Sequence, residues 1–162
     1  MVIEITQDEL KQKITKDILT KLPQWFGTEE AVNVYVRQSI GMPFFAYSID
    51  GQFVGFVFLK LHYDHSAEIC AMGVIEDHRR NGIGRALMNK CTEYCIENNI
   101  EFLQVKTLDS SFPDYYFKIT RDFYTAMGFR PLECIPMLWD EENPCLIMIM
   151  HVASQIQKSI QN

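Results

Sequence analysis

Apolar residues near the start of the chain recur at the spacing of an α-helix. The spacing predicts a first helix with four apolar positions: Leu10, Ile14, Ile18 and Leu22. The segment Thr6-Gln7-Asp8-Glu9 has the spacing of a capping box and predicts the helix start, while Pro23 predicts its end. A second helix is predicted from about Thr28 to Ser39, because apolar residues again share one face and Gly41 follows.

The pattern then changes to that of β-strands. Phe44–Ile49 and Gln52–Leu61 flank Asp50-Gly51, a dipeptide typical of a two-residue hairpin turn. Glu68–Ile75 is predicted as a third strand, and its apolar residues on both faces indicate the middle of a sheet.

Beyond residue 80 the pattern alternates between helix and strand. A helix is predicted with one apolar face: Ile83, Leu87, Cys91, Tyr94 and Cys95. The later elements are predicted as a strand at Phe102–Thr107, a helix from about Tyr116 to Met127, and strands at Phe129–Ile135 and Cys145–Val152. We expect one domain over residues 1–153 and a polar tail over 154–162. This order predicts an α/β (α+β) fold with one sheet covered by helices.

Composition and charge restrict the class of protein. At 162 residues and 48% hydrophobic, the chain can bury one sizeable core. A net charge of -6 argues against a nucleic-acid partner and favours a cationic one. Five cysteines without a CxxC pair indicate neither a disulfide framework nor a metal site. No apolar run is long enough to predict a membrane span, so we expect a cytoplasmic protein. We expect it to be a monomer or a homodimer.

The segment Arg79–Arg85 follows the central strand and carries two closely spaced glycines. A glycine turn that leads into a helix presents backbone N–H groups to an anion. The dinucleotide fingerprint is excluded because its sixth position, counted from Gly82, is Leu87 instead of glycine. The P-loop is excluded because no Gly-Lys-Ser/Thr tripeptide occurs. The segment therefore predicts a pyrophosphate site of another kind.

The pattern Arg79-x-x-Gly82-x-Gly84 resembles the acyl-CoA-binding motif of the GNAT superfamily of N-acyltransferases. The segment Phe123–Phe129 follows at the family's spacing, and the stretch from Pro131 to Cys145 is similar to small bacterial members with undefined acceptors. The resemblance implies a mixed, mostly antiparallel twisted sheet with a central splayed strand pair and helices on both faces. It also implies acetyl-CoA as acyl donor and no metal.

Two side chains match the family's acid and base positions. Glu68 resembles the residue that deprotonates the amine, and its apolar neighbours would raise its pKa by desolvation. A strand-end glutamate facing solvent, or an ordered water as base, is the alternative. Tyr124 resembles the acid that protonates the departing thiolate. Helical spacing places Phe123 and Met127 on the buried face and turns Tyr124 towards the rim.

Backbone groups complete the site that the resemblance implies. The N–H of Met72 matches the donor to the thioester oxygen, and Val74 matches the residue that pairs with the pantetheine amides. The phosphates are assigned to one run of residues: Arg79, Arg80, Asn81, Gly82, Ile83, Gly84 and Arg85.

The resemblance implies an acetyl-CoA-dependent N-acetyltransferase that acts on a primary amine of a small molecule or peptide by direct transfer in a ternary complex. The alternative is a CoA-binding regulatory or interaction protein without turnover. An acyl-cysteine route through Cys70 is disfavoured because the sequence shows no base for it. His62 and His65 are expected in a solvated loop. Several aromatic residues are candidates either for an acceptor pocket or for a surface cluster: Trp25, Phe26, Phe112, Tyr115, Tyr116 and Trp139.

Overall fold

The computed structural model describes residues 1–153, and the predicted polar tail lies outside them. Helices in the described part are α1 (Asp8–Leu19), α2 (Pro23–Phe26), α3 (Glu29–Gln38), α4 (Ile83–Glu97) and α5 (Tyr115–Ala126). Strands there are β1 (Val2–Glu4), β2 (Phe44–Ile49), β3 (Gln52–Tyr63), β4 (Ser66–Val74), β5 (Phe102–Leu108), β6 (Arg130–Asp140) and β7 (Asn143–His151). Within residues 1–153, each helix is too short or too polar to cross a membrane.

Two compact units divide the chain. The first contains Met1–Lys60 and Ile69–Tyr94, and the second contains Leu61–Glu68 and the chain from Cys95 onward. Strands β3 and β4 contribute residues to both. The single domain over residues 1–153 stays a prediction.

In the first unit, β1 pairs with β2 and β2 pairs with β3, both antiparallel. The hairpin turn between β2 and β3 has positive φ at Asp50 (48°) and Gly51 (80°), as a tight hairpin of this hand requires. The predicted hairpin is therefore confirmed. The predicted second helix is confirmed as α3, because the Thr28 side chain accepts from the N–H of Ala31 and caps it.

One face of the first unit's sheet carries three phenylalanine rings. Phe44, Phe56 and Phe58 are buried and stack with centroid separations of 5.4 to 6.2 Å. They share a core cluster with apolar residues of α1, α3 and the segment after α1: Ile14, Ile18, Leu19, Leu22 and Val32. Fully burying each such ring stabilises the fold by roughly 1.5–3 kcal/mol. The apolar face predicted for the first helix therefore lies on this sheet.

Helix α4 covers the opposite face of the same sheet. The ring of Phe45 lies 5.7 Å from that of Tyr94, and a Cβ at Gly55 would meet Ile83 at 3.2 Å. Adjacent residues on a strand point to opposite faces of the sheet, so Phe44 faces one helical layer and Phe45 faces the other. Helices thus cover both faces of the sheet within this unit.

In the second unit, β7 lies between β5 and β6, with antiparallel pairing on both sides. Alternate residues of β5 and β7 are buried: Leu103, Val105, Met148 and Met150. Strand β6 is exposed along most of its length. It continues to Asp140, and β7 begins at Asn143, so the connection is shorter than the sequence predicted.

Some predicted boundaries are wrong. The capping box does not form, because α1 begins at Asp8 with Gln7 as its N-cap and no side-chain cap bond. Pro23 does not end α1, which stops at Leu19; instead it opens the short helix α2, where its missing N–H costs nothing. Strand β1 was not predicted, since three residues carry too little periodicity.

Candidate active site

The segment Arg79–Arg85 follows a short 3-10 turn at Glu76–His78, and its last three residues are the first turn of α4. Two residues in it have positive φ: Arg80 at 63° and Gly82 at 76°. A Cβ added at Gly82 would meet nothing within 4 Å, so the backbone angle and not crowding favours glycine there. The chain thus turns sharply just before the helix begins.

The start of α4 leaves backbone donors available. The N–H of Ala86 donates to the carbonyl oxygen of Gly82 at 2.9 Å. Three N–H groups precede this bond in the helix: those of Ile83, Gly84 and Arg85. Such groups have no partner in the helical ladder and carry the positive end of the helix dipole. This geometry suits an anion such as a phosphate.

Arg79 is held within the first unit by three groups. Its Nε donates to the carbonyl oxygen of Val74 at 3.0 Å, and its Cζ lies 4.3 Å from the ring centroid of Trp25. Its Nη1 lies 3.7 Å from an oxygen of Glu76. Burial lowers the pKa of the Arg79 guanidinium and Glu76 opposes that shift, so the group stays charged. Arg79 therefore links the end of β4 to the turn that precedes α4.

Glu68 lies in β4 and its side chain is only 12% exposed. Lys106 Nζ of β5 lies 2.8 Å from its Oε2, and His62 Nε2 lies 2.6 Å from the same oxygen. The alternative of a glutamate facing solvent does not describe this position. His62 is part of β3 and not of a loop, which corrects the sequence prediction.

Sequence reasoning missed both partners of Glu68. Lys106 is 38 residues away along the chain, and only strand pairing brings it close. The position of His62 could have indicated its contact, because it lies six residues before Glu68. A short turn between β3 and β4 then brings the two residues opposite each other. His65, by contrast, lies in that turn and stacks on Tyr63 at 5.7 Å.

Tyr124 is 5% exposed, and its ring packs at 5.3 Å against both Phe123 and Phe129. The predicted face of α5 is wrong, because Tyr124 is buried while Phe123 and Met127 are half-buried. The physical reason lies beyond the helix. Gly128, with φ of 100°, reverses the chain and brings Phe129 back over the tyrosine.

Met72 and Val74 share β4 with Glu68, and Val74 is the last residue of that strand. The side chain of Met72 is half-buried, and the carbonyl of Val74 accepts from Arg79. In the turn, the Asn81 amide donates to the carbonyl of His78 at 3.4 Å. The structure thus brings Arg79 to Val74, and His62 and Lys106 to Glu68. The roles assigned to the site residues stay predictions.

The candidate acceptor aromatics fall into two groups. Trp25 and Phe26 pack against the core of the first unit. In the second unit the others are exposed: Phe112, Tyr115, Tyr116 and Trp139. Asp140 accepts from the N–H of Glu142 at 2.9 Å and closes the turn before β7. Among residues 1–153, no three His, Cys, Asp or Glu side chains are grouped to hold a metal ion.

Known proteins share this fold. An aminoglycoside 6'-N-acetyltransferase of Enterococcus faecium superposes with a TM-score of 0.74 at 16% identity, covering 94% of this chain and 97% of that one. The ribosomal-protein-S18-alanine N-acetyltransferase of Escherichia coli superposes with a TM-score of 0.71 at 15% identity, covering 94% of each chain. At such identities the likeness shows the fold, and it confirms the predicted mixed, mostly antiparallel α/β architecture.

Sequence comparison gives the family. A curated relative, an uncharacterized N-acetyltransferase of Chlorobaculum tepidum, is 29% identical over 90 residues, or 56% of this chain. The match takes in 51% of the relative, so the chain spans about half of its length. The model of the acetyltransferase (GNAT) family matches residues 12–129, which include both the Arg79–Arg85 turn and Tyr124. The chain therefore belongs to the acetyltransferase (GNAT) family.

Proposed function

We propose that this protein is an N-acetyltransferase that moves an acetyl group from acetyl-CoA to a primary amine by direct transfer in a ternary complex. The observation that carries the proposal is the turn before α4. Arg80 and Gly82 have positive φ and lie just before a helix. The first N–H groups of this helix come before its first backbone hydrogen bond, from Ala86 to Gly82. Residues Arg79–Arg85 would hold the pyrophosphate of the donor, as backbone donors at a helix N-terminus hold anions elsewhere.

Glu68 acts in this proposal as the general base. An amine attacks a thioester only when neutral, so the ammonium must first lose a proton. The carboxylate of Glu68 takes that proton, and its partial burial supports the role because water competes less for the charge. The ammonium of Lys106 lies 2.8 Å from Oε2 of this carboxylate, and the second oxygen, Oε1, can accept the proton.

Acetyl-CoA supplies the acetyl group as a thioester. The N–H of Met72 donates to the carbonyl oxygen as it gains negative charge, and Val74 pairs with the pantetheine amides. Tyr124 gives its phenolic proton to the departing sulfur, so the amine gains the acetyl group and CoA leaves as a thiol. The family model matches residues 12–129, which include Met72, Val74 and Tyr124, and this match supports the three assignments.

A primary amine of a small molecule or peptide is the proposed acceptor. The net charge of -6 supports a cationic partner, and exposed aromatic rings at Phe112, Tyr115 and Trp139 offer cation–π surfaces. The names of the structural neighbours include an aminoglycoside and an alanine of ribosomal protein S18, and both classes of molecule carry amines. All five cysteines are free, which supports action in the reducing cytoplasm.

Two measurements test the proposal in sequence. Acetyl-CoA at about 100 times its Kd should stabilise the folded chain by about 2.7 kcal/mol, seen as a rise in Tm. No rise at saturating acetyl-CoA would contradict the donor assignment. A panel of amines with detection of released CoA thiol then tests turnover. If acetyl-CoA binds but no CoA thiol is released in the presence of any amine, the alternative is favoured, a CoA-binding protein without turnover.

A further inference from the structure

Three ionisable side chains from three strands meet in the second unit. Glu68 of β4, Lys106 of β5 and His62 of β3 are all partly buried, with 12%, 26% and 27% of their side chains exposed. Both partners contact Oε2 of Glu68, Lys106 at 2.8 Å and His62 at 2.6 Å. Within residues 1–153, no hydrogen bond ends on the other carboxylate oxygen, Oε1.

We propose that Lys106 and His62 are positioning residues that clamp Oε2 of Glu68, so that Oε1 is the atom presented to the proton of the acceptor amine. The inference rests on the proposed function, in which Glu68 is the base. A carboxylate only accepts hydrogen bonds, so His62 donates from Nε2–H and Lys106 from its ammonium. Two donors from different strands fix both the rotation and the direction of the carboxylate plane.

The strands supply the rigidity that such a clamp needs. Lys106 lies between residues of β5 that pair with β7 in a continuous antiparallel ladder. His62 lies one residue before the end of β3, and Glu68 is the third residue of β4. A base held on strands keeps its geometry better than one held on a loop. The clamp is therefore built from the sheet itself.

A buried thiol lies on the strand next to Lys106. The Cys145 thiol of β7 is fully buried, and burial raises its pKa, while Lys106 lowers it and Glu68 raises it. Cys145 pairs with Leu108 of β5, two residues along that strand from Lys106.

The experiment compares four variants of the clamp and one control variant in acetyl transfer from acetyl-CoA to an amine that the wild-type chain accepts. Lys106→Met and His62→Ala should lower kcat at least tenfold and leave the KM for acetyl-CoA within twofold. Lys106→Arg and His62→Gln keep a donor and should recover most of the rate. Lys13→Met, which breaks an exposed pair with Asp17, is the matched control and should change neither kcat nor the KM for acetyl-CoA.

A double variant guards against a merely structural effect. If Lys106 acts through Glu68, adding Lys106→Met to Glu68→Gln should change kcat less than threefold, because residues that act together are not additive. Full additivity, or a wild-type kcat in Lys106→Met, would overturn the positioning role alone. Failure of the wild-type chain to acetylate any amine would overturn the proposed function and this inference together. Circular dichroism and urea unfolding of Lys106→Met, compared with Lys106→Arg, show whether the sheet is intact.

Discussion

Arg79 donates from Nε to the carbonyl oxygen of Val74 across 3.0 Å, while its guanidinium lies over the ring of Trp25. The carbonyl of Val74 is the last acceptor of β4, and the proposal gives the backbone there to the pantetheine arm. Arg79 therefore couples two proposed parts of the donor site, the end of the strand and the phosphate turn. A carbonyl oxygen has two lone pairs, so this bond leaves room for a second donor.

Loss of the Arg79 contacts should weaken acetyl-CoA binding. We expect Arg79→Ala and Arg79→Lys each to raise the Kd about tenfold, or about 1.4 kcal/mol, as measured by isothermal titration calorimetry. Lysine keeps the charge but lacks Nε and the flat guanidinium that lies over Trp25. Arg130→Ala, which removes an exposed arginine of β6, is the control. Wild-type affinity in Arg79→Lys would show that charge alone matters.

Gly82 should resist substitution for a backbone reason. Its φ of 76° lies in the left-handed region, and the space around its Cβ position is open. We expect Gly82→Val to lower the free energy of unfolding by about 1 to 2 kcal/mol, measured in urea. Gly82→Asn should lose clearly less, because asparagine tolerates this conformation. Equal stability of the two variants would contradict the backbone explanation.

Cys95 should make the fold less stable at high pH. Burial raises the pKa of its thiol to about 11, against 9.0 for an ordinary cysteine, and its side chain is fully buried. The unfolded chain loses the proton first, so the stabilisation is complete below about pH 9 and is lost as the pH rises through 11.

The measurement is unfolding of the wild-type chain and Cys95→Ala at pH 7 and at pH 11. The free energy of unfolding of each chain at pH 11 is compared with its own value at pH 7. Between these pH values the wild-type chain should lose about 2 kcal/mol more than the variant. The same loss in both chains would show that the Cys95 thiol does not titrate on unfolding.

Asp8 should contribute to stability in the opposite pH range. The N–H of Gly41 donates to it at 2.9 Å, and this bond, followed by Lys11, lowers the pKa of the Asp8 carboxyl below 3.8. Its contribution is present above the ordinary pKa and is lost as the pH falls through the lowered one. The stability difference between the wild-type chain and Asp8→Asn should therefore shrink in acid. Asp17→Asn, in an exposed pair with Lys13, is the matched control, and an acid-independent difference for Asp8→Asn would contradict this assignment.

Local chemistry explains what the sequence predicts well. The turn at Asp50-Gly51, the start of α3 after Thr28 and the buried face of α4 each depend on residues a few positions apart. The Lys106 contact with Glu68 could not be predicted in this way, because strand pairing over 38 residues creates it. Burial of Tyr124 was missed for a related reason, since Phe129 packs on it only after Gly128 reverses the chain.

Direct transfer to an amine is tested by following an isotope-labelled acetyl group from acetyl-CoA by mass spectrometry. The wild-type chain should place the label on a primary amine, with stoichiometric release of CoA thiol and no labelled Cys70. Glu68→Gln should bind acetyl-CoA like the wild-type chain but transfer the label at least a hundredfold more slowly, within the range by which a general base accelerates transfer. Tight binding without label on any amine, or equal rates in the two chains, would contradict the account.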